Sequence, residues 1–170
     1  MKTLFLLRHA DADETVAGAT DTDRVLSDRG IREAATLPER FARFPTTPTL
    51  ALCSPARRAI QTLEGWLAER PDSDLAVETD EGLYLASGTK LAECLLEVRN
   101  DVESLLIVAH NPGIGIFAHE FLRPEDHGPA AEGIRRGFPP AALAVFEFDV
   151  NEWTGVSPGR GRLVGGDFPR

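Results

Sequence analysis

The sequence predicts an α/β fold, a three-layer α/β/α sandwich in which a mostly parallel central sheet lies between two layers of helices. Short apolar runs alternate with segments whose apolar residues recur at helical spacing. Strands that alternate with helices in this way favour a parallel sheet covered on both faces. We expect residues 1–170 to form one domain, because a chain of about 150 residues can bury a sufficient core without disulfides or metals.

The first strand and the first helix are expected near the N-terminus. Thr3–Leu7 (TLFLL) is a continuous apolar run typical of a strand buried on both faces, and a polar loop follows as far as Arg24. Ser27 is a good N-cap for the helix after this loop. Pro38 should interrupt that helix, because proline lacks the backbone N–H that a helix interior requires.

The next elements repeat this order. Leu50–Cys53 predicts a second buried strand, and Ser54-Pro55 predicts a helix with serine as its N-cap and proline at its first position. A short strand is expected at Ala76–Glu78, and a helix should begin between Ser87 and Thr89.

The last third of the chain should complete the sheet. Ser104–Ala109 (SLLIVA) predicts another buried strand, and His110–Gly113 repeats the arrangement of cap, proline and helix. Arg123–Pro140 is rich in glycine, proline and charged residues, so a long loop is expected there. A strand is then predicted at Ala142–Phe148, with an edge strand near Arg162–Val164.

Composition argues against several classes of protein. The chain has 18 Lys+Arg and 27 Asp+Glu, and its formal charge of −9 does not suit general binding to nucleic acid or to an anionic membrane. No apolar run approaches the ~20 residues of a membrane span, and the residues after Met1 lack the layout of a signal peptide. Cys53 and Cys94 lie in predicted core elements, which indicates reduced thiols and a cytoplasmic location.

Polar residues follow three of the predicted strands. Arg8-His9 follows the first strand, Arg58 lies shortly after the second, and His110 follows the strand at 104–109. Ligands of open α/β sheets bind at the carboxyl ends of the strands, so two arginines and two histidines should converge at one edge. Arginine binds phosphate through two parallel hydrogen bonds, and this set therefore predicts a phosphate site.

These residue types also suit phosphoryl transfer. The transferring group spreads negative charge over its oxygens, and catalysis depends mainly on positioned cationic donors. Arg8 and Arg58 would supply such donors, and a protonated His110 would add another. His9 would attack phosphorus as a neutral imidazole, which the arginines favour by depressing its pKa. Its other ring nitrogen should donate to a backbone carbonyl or a carboxylate.

Five sequence blocks carry a resemblance to a known family. Leu7-Arg8-His9-Ala10 resembles the signature of the histidine phosphatase superfamily. Blocks at 23–30 (DRVLSDRG), 54–62 (SPARRAIQT) and 108–113 (VAHNPG) resemble later blocks of that family and follow in its order. Residues 138–145 (FPPAALAV) are similar to a C-terminal block of its small SixA-like phosphohistidine phosphatase branch.

The resemblance implies a phosphoglycerate mutase-like fold and a phosphatase that uses no metal and no organic cofactor. It also implies that His9 is the nucleophile, and that Arg8, Arg58 and His110 complete the catalytic set and bind the substrate phosphate. Arg58, and not Arg57, matches the arginine of the family motif. In the first turn of its helix, Arg58 would lie beside free N–H groups that also favour an anion.

The sequence leaves open which residue is the general acid. Mutase-like relatives place a glutamate in the stretch that contains Glu81, which is the first candidate, and Asp80 lies beside it. Acid-phosphatase relatives have an aspartate directly after the second histidine, where this chain has Asn111. Asp11 and Asp13 are lesser candidates. The small branch can lack this acid, because a phosphohistidine leaving group needs less protonation than an alkoxide.

Other polar residues have structural interpretations. No Gly-x-Ser-x-Gly sequence surrounds Ser54, so a helix cap is favoured over a nucleophile. His119 and His127 lack the spacing of metal ligands and are expected on the surface, so no metal site is predicted. Arg135 and Arg136 are expected in a solvated loop, with contact to a substrate phosphate or an acidic partner as the alternative.

The leading functional hypothesis is a phosphatase that acts through phospho-His9 on a phosphorylated protein histidine or on a small phosphorylated molecule. A phosphoglycerate mutase-type phosphotransferase is the first alternative, although mutases of the family are longer and carry insertions that close over the substrate. The second alternative is a non-catalytic phosphate-binding protein. Substrate specificity is expected to depend on the loops at 11–23, 84–88 and 123–140.

Overall fold

The computed structural model describes residues 1–14, 17–70 and 74–169. The strands in these ranges are β1 (Lys2–Arg8), β2 (Leu50–Cys53), β3 (Ala76–Thr79), β4 (Ser104–Ala109), β5 (Leu143–Phe148) and β6 (Arg162–Asp167). Within the described residues they form one six-stranded sheet in the order β3-β2-β4-β1-β5-β6.

Four neighbouring strands of the sheet are parallel. β2 pairs with β3 and β4, and β4 pairs with β1, whereas β5 and β6 continue the sheet antiparallel. The register places Arg8 opposite Ala109 and Cys53 opposite Val108, so β1, β2 and β4 end together. The residues that follow these three strands therefore meet at one edge of the sheet.

Helices cover both faces of the sheet, and their bounds are α1 (Asp28–Ala35), α2 (Leu37–Phe41), α3 (Arg57–Leu67), α4 (Gly88–Leu96), α5 (Gly113–Phe121) and α6 (Pro129–Arg136). Phe5 and Leu7 of β1 pack in a core with α1, α2 and α3, while Leu4 and Leu6 pack with α4, α5 and α6. Both faces of a central strand are buried, which explains its continuous apolar run. The predicted three-layer fold is confirmed.

Most predicted elements are present, with bounds shifted by a few residues. Pro38 does interrupt the first helical segment, since α1 and α2 are separate helices and the proline lies in the first turn of α2. Ser27 caps α1 by accepting a hydrogen bond from the backbone N–H of Gly30. Cys53 and Cys94 are buried free thiols. No helix in the described ranges is long and apolar enough to cross a membrane.

The predicted cap of α3 is wrong. This helix begins at Arg57, and its N-cap is Ala56. The hydroxyl of Ser54 lies 2.7 Å from Nε2 of His110, and it also accepts from the backbone N–H of Ala56 at 3.3 Å. The side chain that local capping rules assign to the helix thus bonds to a buried histidine at the end of the neighbouring strand, and it does not cap α3.

The loop predicted at 123–140 is also wrong, because it contains α6. Pro129 occupies the first helical position after Gly128, whose φ of +92° suits glycine. Ala131 and Ile134 are buried three residues apart and attach this short helix to the core. Glycine and proline mark the start of a helix here, although the composition predicts a loop.

The loop between β1 and α1 has local structure of its own. Asp21–Asp23 form a 3₁₀ turn, and Ala12 forms an isolated antiparallel bridge with Leu26. Residues 15 and 16 of the predicted polar loop lie outside the described residues. The bridge and the turn return the chain to the edge where β1 ends, so Asp21 reaches the site described next.

Candidate active site

A cavity of about 290 Å³, which we call the phosphate cavity, lies where β1, β2 and β4 end. Its lining includes Arg8, His9, Arg58 and His110, so the structure brings the four predicted residues together. His9 is 9% exposed, and Arg58 and His110 are each 2% exposed. The surrounding protein therefore fixes these side chains before any ligand binds.

His9 has a defined tautomer. Its Nδ1 lies 2.7 Å from the carbonyl oxygen of Ala10, which can only accept, so this nitrogen carries the proton. Burial, assisted by the nearby Arg58 and Arg8, lowers the pKa of His9 from 6.5 to about 4. The ring is neutral at pH 7, and its unprotonated Nε2 accepts a hydrogen bond from Nε of Arg58 at 3.3 Å. This is the protonation state that a nucleophilic histidine requires.

Arg58 joins both histidines to an acidic residue. It is the second residue of α3 and lies in the first turn, as the sequence predicts. Its Nε faces His9, and its Nη2 lies 3.3 Å from Nδ1 of His110. Its Nη1 and Nη2 also donate to the main-chain carbonyl and the carboxylate of Asp21, at 2.6 and 2.9 Å. Arg57 is exposed.

His110 is held in place by Ser54. Since a guanidinium can only donate, Nδ1 of His110 accepts from Arg58, and Nε2 donates to the Ser54 hydroxyl at 2.7 Å. Burial, with the nearby His9 and Arg58, lowers the pKa of His110 to about 3. His110 is therefore neutral at pH 7, and the extra donor expected from a protonated ring is not offered in this arrangement.

Arg8 lies beside the mouth of the phosphate cavity. Its Nη1 donates to the carbonyl of Phe138 at 2.8 Å, and its Nε has no hydrogen-bond partner among the described residues. Burial lowers the pKa of Arg8, with the charge of Asp11 acting in the opposite direction. A guanidinium stays charged at pH 7, so Arg8 contributes positive potential to the cavity.

Asp21 and Tyr84 are site residues that the sequence analysis missed. Tyr84 donates to the Asp21 carboxylate at 2.6 Å, and Arg24 donates to it at 3.1 Å. The bond from Tyr84, with those from Arg24 and Arg58, holds the pKa of Asp21 well below its usual range, and Asp21 raises the pKa of Tyr84. Both residues belong to loops expected to set specificity, but neither lies in a motif that marks it.

The candidate acids occupy different places. Glu81 is exposed in a 3₁₀ turn and is not among the residues that line the phosphate cavity. Asp80 caps that turn by accepting from the backbone N–H of Gly82 at 2.7 Å. Asp11 does line the cavity, where its carboxylate accepts from Ser27 at 2.6 Å, whereas Asp13 is exposed.

The remaining polar candidates lie on the surface. His119 and His127 are exposed. Arg135 and Arg136 lie in the last turn of α6, and not in the solvated loop that the composition predicts. Asn111 lines the cavity and donates to the same Phe138 carbonyl as Arg8, at 2.7 Å. In the part of the chain that the structure describes, no group of three or more His, Cys, Asp or Glu side chains could hold a metal ion.

Known proteins resemble this chain in sequence and in structure. The family model of the histidine phosphatase superfamily (branch 1) matches residues 4–84. An uncharacterized protein of Mycobacterium tuberculosis is 34% identical over 155 residues, which cover 90% of this chain and 94% of that protein.

Two solved structures share the fold over nearly the whole chain. A protein of Nakamurella multipartitia, assigned as phosphohistidine phosphatase SixA, has a TM-score of 0.82 and 24% identity, and the match covers 99% of this chain and 96% of that one. An Agrobacterium tumefaciens protein with the same assignment has a TM-score of 0.79 and 25% identity, with 99% and 98% covered. The matched family model, the fold and the convergence of Arg8, His9, Arg58 and His110 agree, and the chain belongs to the histidine phosphatase superfamily.

Proposed function

We propose that this chain is a metal-independent phosphatase that hydrolyses phosphohistidine or a phosphate monoester through a covalent phospho-His9 intermediate. The observation that carries the proposal is the unprotonated Nε2 of His9 in a cavity lined by Arg8, Arg58 and His110. A nucleophile and the groups that would bind a phosphate thus share one pocket. Its volume of about 290 Å³ lies at the small end of ligand sites and suits a phosphate with the atoms beside it.

In the first step, His9 attacks the substrate phosphorus in line with the leaving group. A bond forms between Nε2 and phosphorus while the bond from phosphorus to the leaving nitrogen or oxygen breaks, and the leaving atom takes the electron pair. Arg8 and Arg58 stabilise the charge on the transferring oxygens. The Nδ1 proton stays on the ring, where the Ala10 carbonyl stabilises the positive charge that develops.

In the second step, water attacks the phosphorus of phospho-His9. The phosphorus–nitrogen bond breaks, its electron pair returns to Nε2, and inorganic phosphate leaves. The proton of the attacking water passes to the departing phosphate or to solvent. Arg58 serves both steps, so its contact with the Asp21 carboxylate is exchanged for phosphate oxygens when substrate binds.

The placement of carboxyl groups favours a leaving group that needs little protonation. Glu81 does not line the cavity, and the hydrogen bonds to Asp21 keep that carboxyl ionised. Asp11 does line it, but its carboxylate accepts a hydrogen bond from Ser27 at 2.6 Å. An alkoxide needs a proton from a general acid, whereas the imidazole of phosphohistidine leaves more readily. We therefore place phosphohistidine first among the substrates, a choice that the assignments of the two similar structures support.

The test is hydrolysis of an aryl phosphate and of a phosphohistidine peptide by wild type and His9→Ala in buffer with EDTA. Wild type should be active in EDTA, and His9→Ala should be inactive because the nucleophile is missing. Radiolabelled phosphate trapped on wild type should be acid-labile, as phosphohistidine is. His119→Ala is the matched control, because this histidine is exposed on α5, and it should keep the wild-type rate.

Three outcomes would contradict the proposal. Activity that survives His9→Ala would remove His9 as the nucleophile. A wild-type rate that EDTA abolishes and zinc or magnesium restores would show a metal enzyme. A wild-type protein that binds inorganic phosphate but turns over neither substrate would be a phosphate-binding protein.

A further inference from the structure

A larger groove adjoins the phosphate cavity. It has a volume of about 890 Å³, and Arg8 and Asn111 line both spaces. Arg136 contributes to its wall from α6, and Phe168 contributes from the segment that follows β6. The groove therefore leads from the phosphate cavity across the surface of α6 and the end of β6.

Close packing fixes the walls of this groove. The ring of Phe168 lies edge-on to Phe138, with 5.5 Å between the centroids. It also packs on α6 at Gly133, where a Cβ would lie 2.4 Å from a ring carbon. The Phe138 carbonyl accepts from both Arg8 and Asn111, at 2.8 and 2.7 Å. Hydrogen bonds thus connect residues that line the groove with residues that line the phosphate cavity. Both spaces are formed before a ligand binds, which lowers the entropy cost of binding.

Arginines give the groove an excess of positive charge. Arg43 lines the groove and lies 3.1 Å from the carboxylate of Asp167, and Arg136 lines it and lies 3.1 Å from the carboxylate of Glu132. Arg8 adds a guanidinium whose Nη1 donates to the neutral carbonyl of Phe138. Arg8, Arg43 and Arg136 thus stand against the two carboxylates of Asp167 and Glu132 in the lining of the groove, an excess of one positive charge.

This local charge is opposite to that of the chain, whose formal charge is −9. An acidic ligand is therefore directed to this surface, since the protein as a whole repels it. The outer arginines are open to solvent, because the side chain of Arg43 is 65% exposed and that of Arg136, paired with Glu132, is 78% exposed. A site that encloses a small molecule buries most of its surface, whereas this open groove suits an extended segment of chain.

We propose that this arginine groove, lined by Arg8, Arg43 and Arg136, binds an acidic polypeptide segment next to the phosphorylated residue of the substrate. The inference rests on the proposed phosphatase function and narrows its substrate to a phosphoprotein with glutamate or aspartate beside the phosphorylated histidine. The phosphohistidine lies in the phosphate cavity, and the acidic side chains contact Arg43 and Arg136 through exposed ion pairs.

Four phosphohistidine peptides test the proposal. Two carry three glutamates, either on the N-terminal or on the C-terminal side of the phosphohistidine, and the other two carry three glutamines in the same places. On one of the two sides, wild type should show a kcat/KM about three- to tenfold higher for the glutamate peptide at low ionic strength. Added salt should reduce this preference, because exposed charges are screened.

Variants of the arginine groove test whether the preference for the glutamate peptide depends on Arg43 and Arg136. Arg43→Gln/Arg136→Gln should reduce it to about twofold or less, and the corresponding double change to glutamate should reverse it. Arg99→Gln/Arg160→Gln is the matched control, because it removes two exposed arginines elsewhere, and it should keep the preference. The proposal is overturned if wild type hydrolyses the glutamate and glutamine peptides at equal rates. It is also overturned if the preference survives the change at Arg43 and Arg136, or if the control variant loses it.

Binding to an inactive protein separates this proposal from the phosphatase function. The same peptides are titrated calorimetrically into His9→Ala, for which the groove predicts tighter binding of the glutamate peptide. If wild type hydrolyses no substrate and this difference in affinity is present, the proposed function fails and the groove proposal stands. If inorganic pyrophosphate binds and the glutamate peptide has no advantage, the groove takes a small polyanion, and the proposal is overturned.

Discussion

Arg58 and Asp21 form a two-point contact at the centre of the site. Nη1 of Arg58 donates to the main-chain carbonyl of Asp21 at 2.6 Å, and Nη2 donates to its carboxylate at 2.9 Å. The carboxylate thus occupies a side of the guanidinium that a phosphate oxygen would use. The side chain of Arg58 is 2% exposed and that of Asp21 is 41% exposed, so the aspartate is the partner that solvent reaches.

Replacing Asp21 with asparagine should therefore tighten phosphate binding. The change removes a negative charge that competes for Arg58, and it keeps the main-chain contact. We expect the inhibition constant of inorganic phosphate to fall about three- to tenfold, a modest change because the pair is partly exposed. Competitive inhibition of aryl phosphate hydrolysis measures it, with Asp23→Asn as an exposed control in the same turn. Weaker phosphate binding in Asp21→Asn would mean that Asp21 is needed to orient Arg58.

Arg58→Ala should cost about 2–4 kcal/mol of transition-state stabilisation, which is roughly a 30- to 1000-fold loss in kcat/KM. The buried guanidinium contacts both histidines, so its loss removes a cation from the centre of the site. Arg57→Ala is the matched control, because Arg57 is the exposed neighbour, and its kcat/KM should stay within about twofold. Thermal unfolding of both variants checks that a lost rate is not a lost fold. A tenfold loss or less would show that Arg58 is the wrong arginine.

Ser54→Ala should disturb the position of His110. The change leaves the Nε2–H of a buried imidazole without its acceptor, which costs about 1–3 kcal/mol and lets the ring turn away from Arg58. We expect kcat/KM to fall about tenfold, from steady-state kinetics, and the free energy of unfolding to fall by that cost. Ser104→Ala is a close control, because this buried serine hydroxyl has no hydrogen-bond partner in the described residues. Unchanged kinetics in Ser54→Ala would mean that other contacts position His110.

The residues that follow the strands could be predicted from the sequence, because their position depends on a local rule. A continuous apolar run identifies a strand buried on both faces, and parallel strands place their carboxyl ends together. Arg8, His9 and His110 follow such runs directly, and Arg58 lies in the next helical turn. The sequence also predicts a backbone carbonyl or a carboxylate as acceptor for the second ring nitrogen of His9, and Nδ1 donates to the carbonyl of Ala10.

The contacts of Asp21, Tyr84 and Ser54 could not be predicted in this way. Asp21 meets Arg58 across 37 positions, and it meets Tyr84 across 63, from loops without periodic pattern. For Ser54 a local rule was available, but it predicted a helix cap, and the hydroxyl bonds to His110 across 56 positions instead. Long-range pairing thus decides the positions of Asp21 and Ser54, because their partners Arg58 and His110 are buried and would be costly to leave unpaired.

Acid should destabilise the fold through His9 and His110. Burial is the main cause that lowers their pKa values, to about 4 and about 3. A histidine in the unfolded chain titrates near a pKa of about 6.5, so between about pH 6.5 and pH 4 the unfolded state binds protons that the folded state does not. These two histidines therefore contribute their full stabilisation above this window, and the free energy of unfolding falls as the pH falls through it. The loss is up to about 1.4 kcal/mol for each unit by which the pKa of a histidine is lower in the folded than in the unfolded state. The carboxyl of Asp21, whose pKa is lowered, loses its contribution only below this window.

Urea unfolding at about pH 7.5 and about pH 5 measures this dependence. His110→Asn should reduce the difference between the two conditions, because one of the two buried imidazoles no longer has to be protonated on unfolding. His119→Asn, which changes an exposed histidine, should keep the wild-type difference. Equal stability of wild type at both values would show that the two rings are not held neutral, and the same result would remove the electrostatic reason for an unprotonated His9 nucleophile.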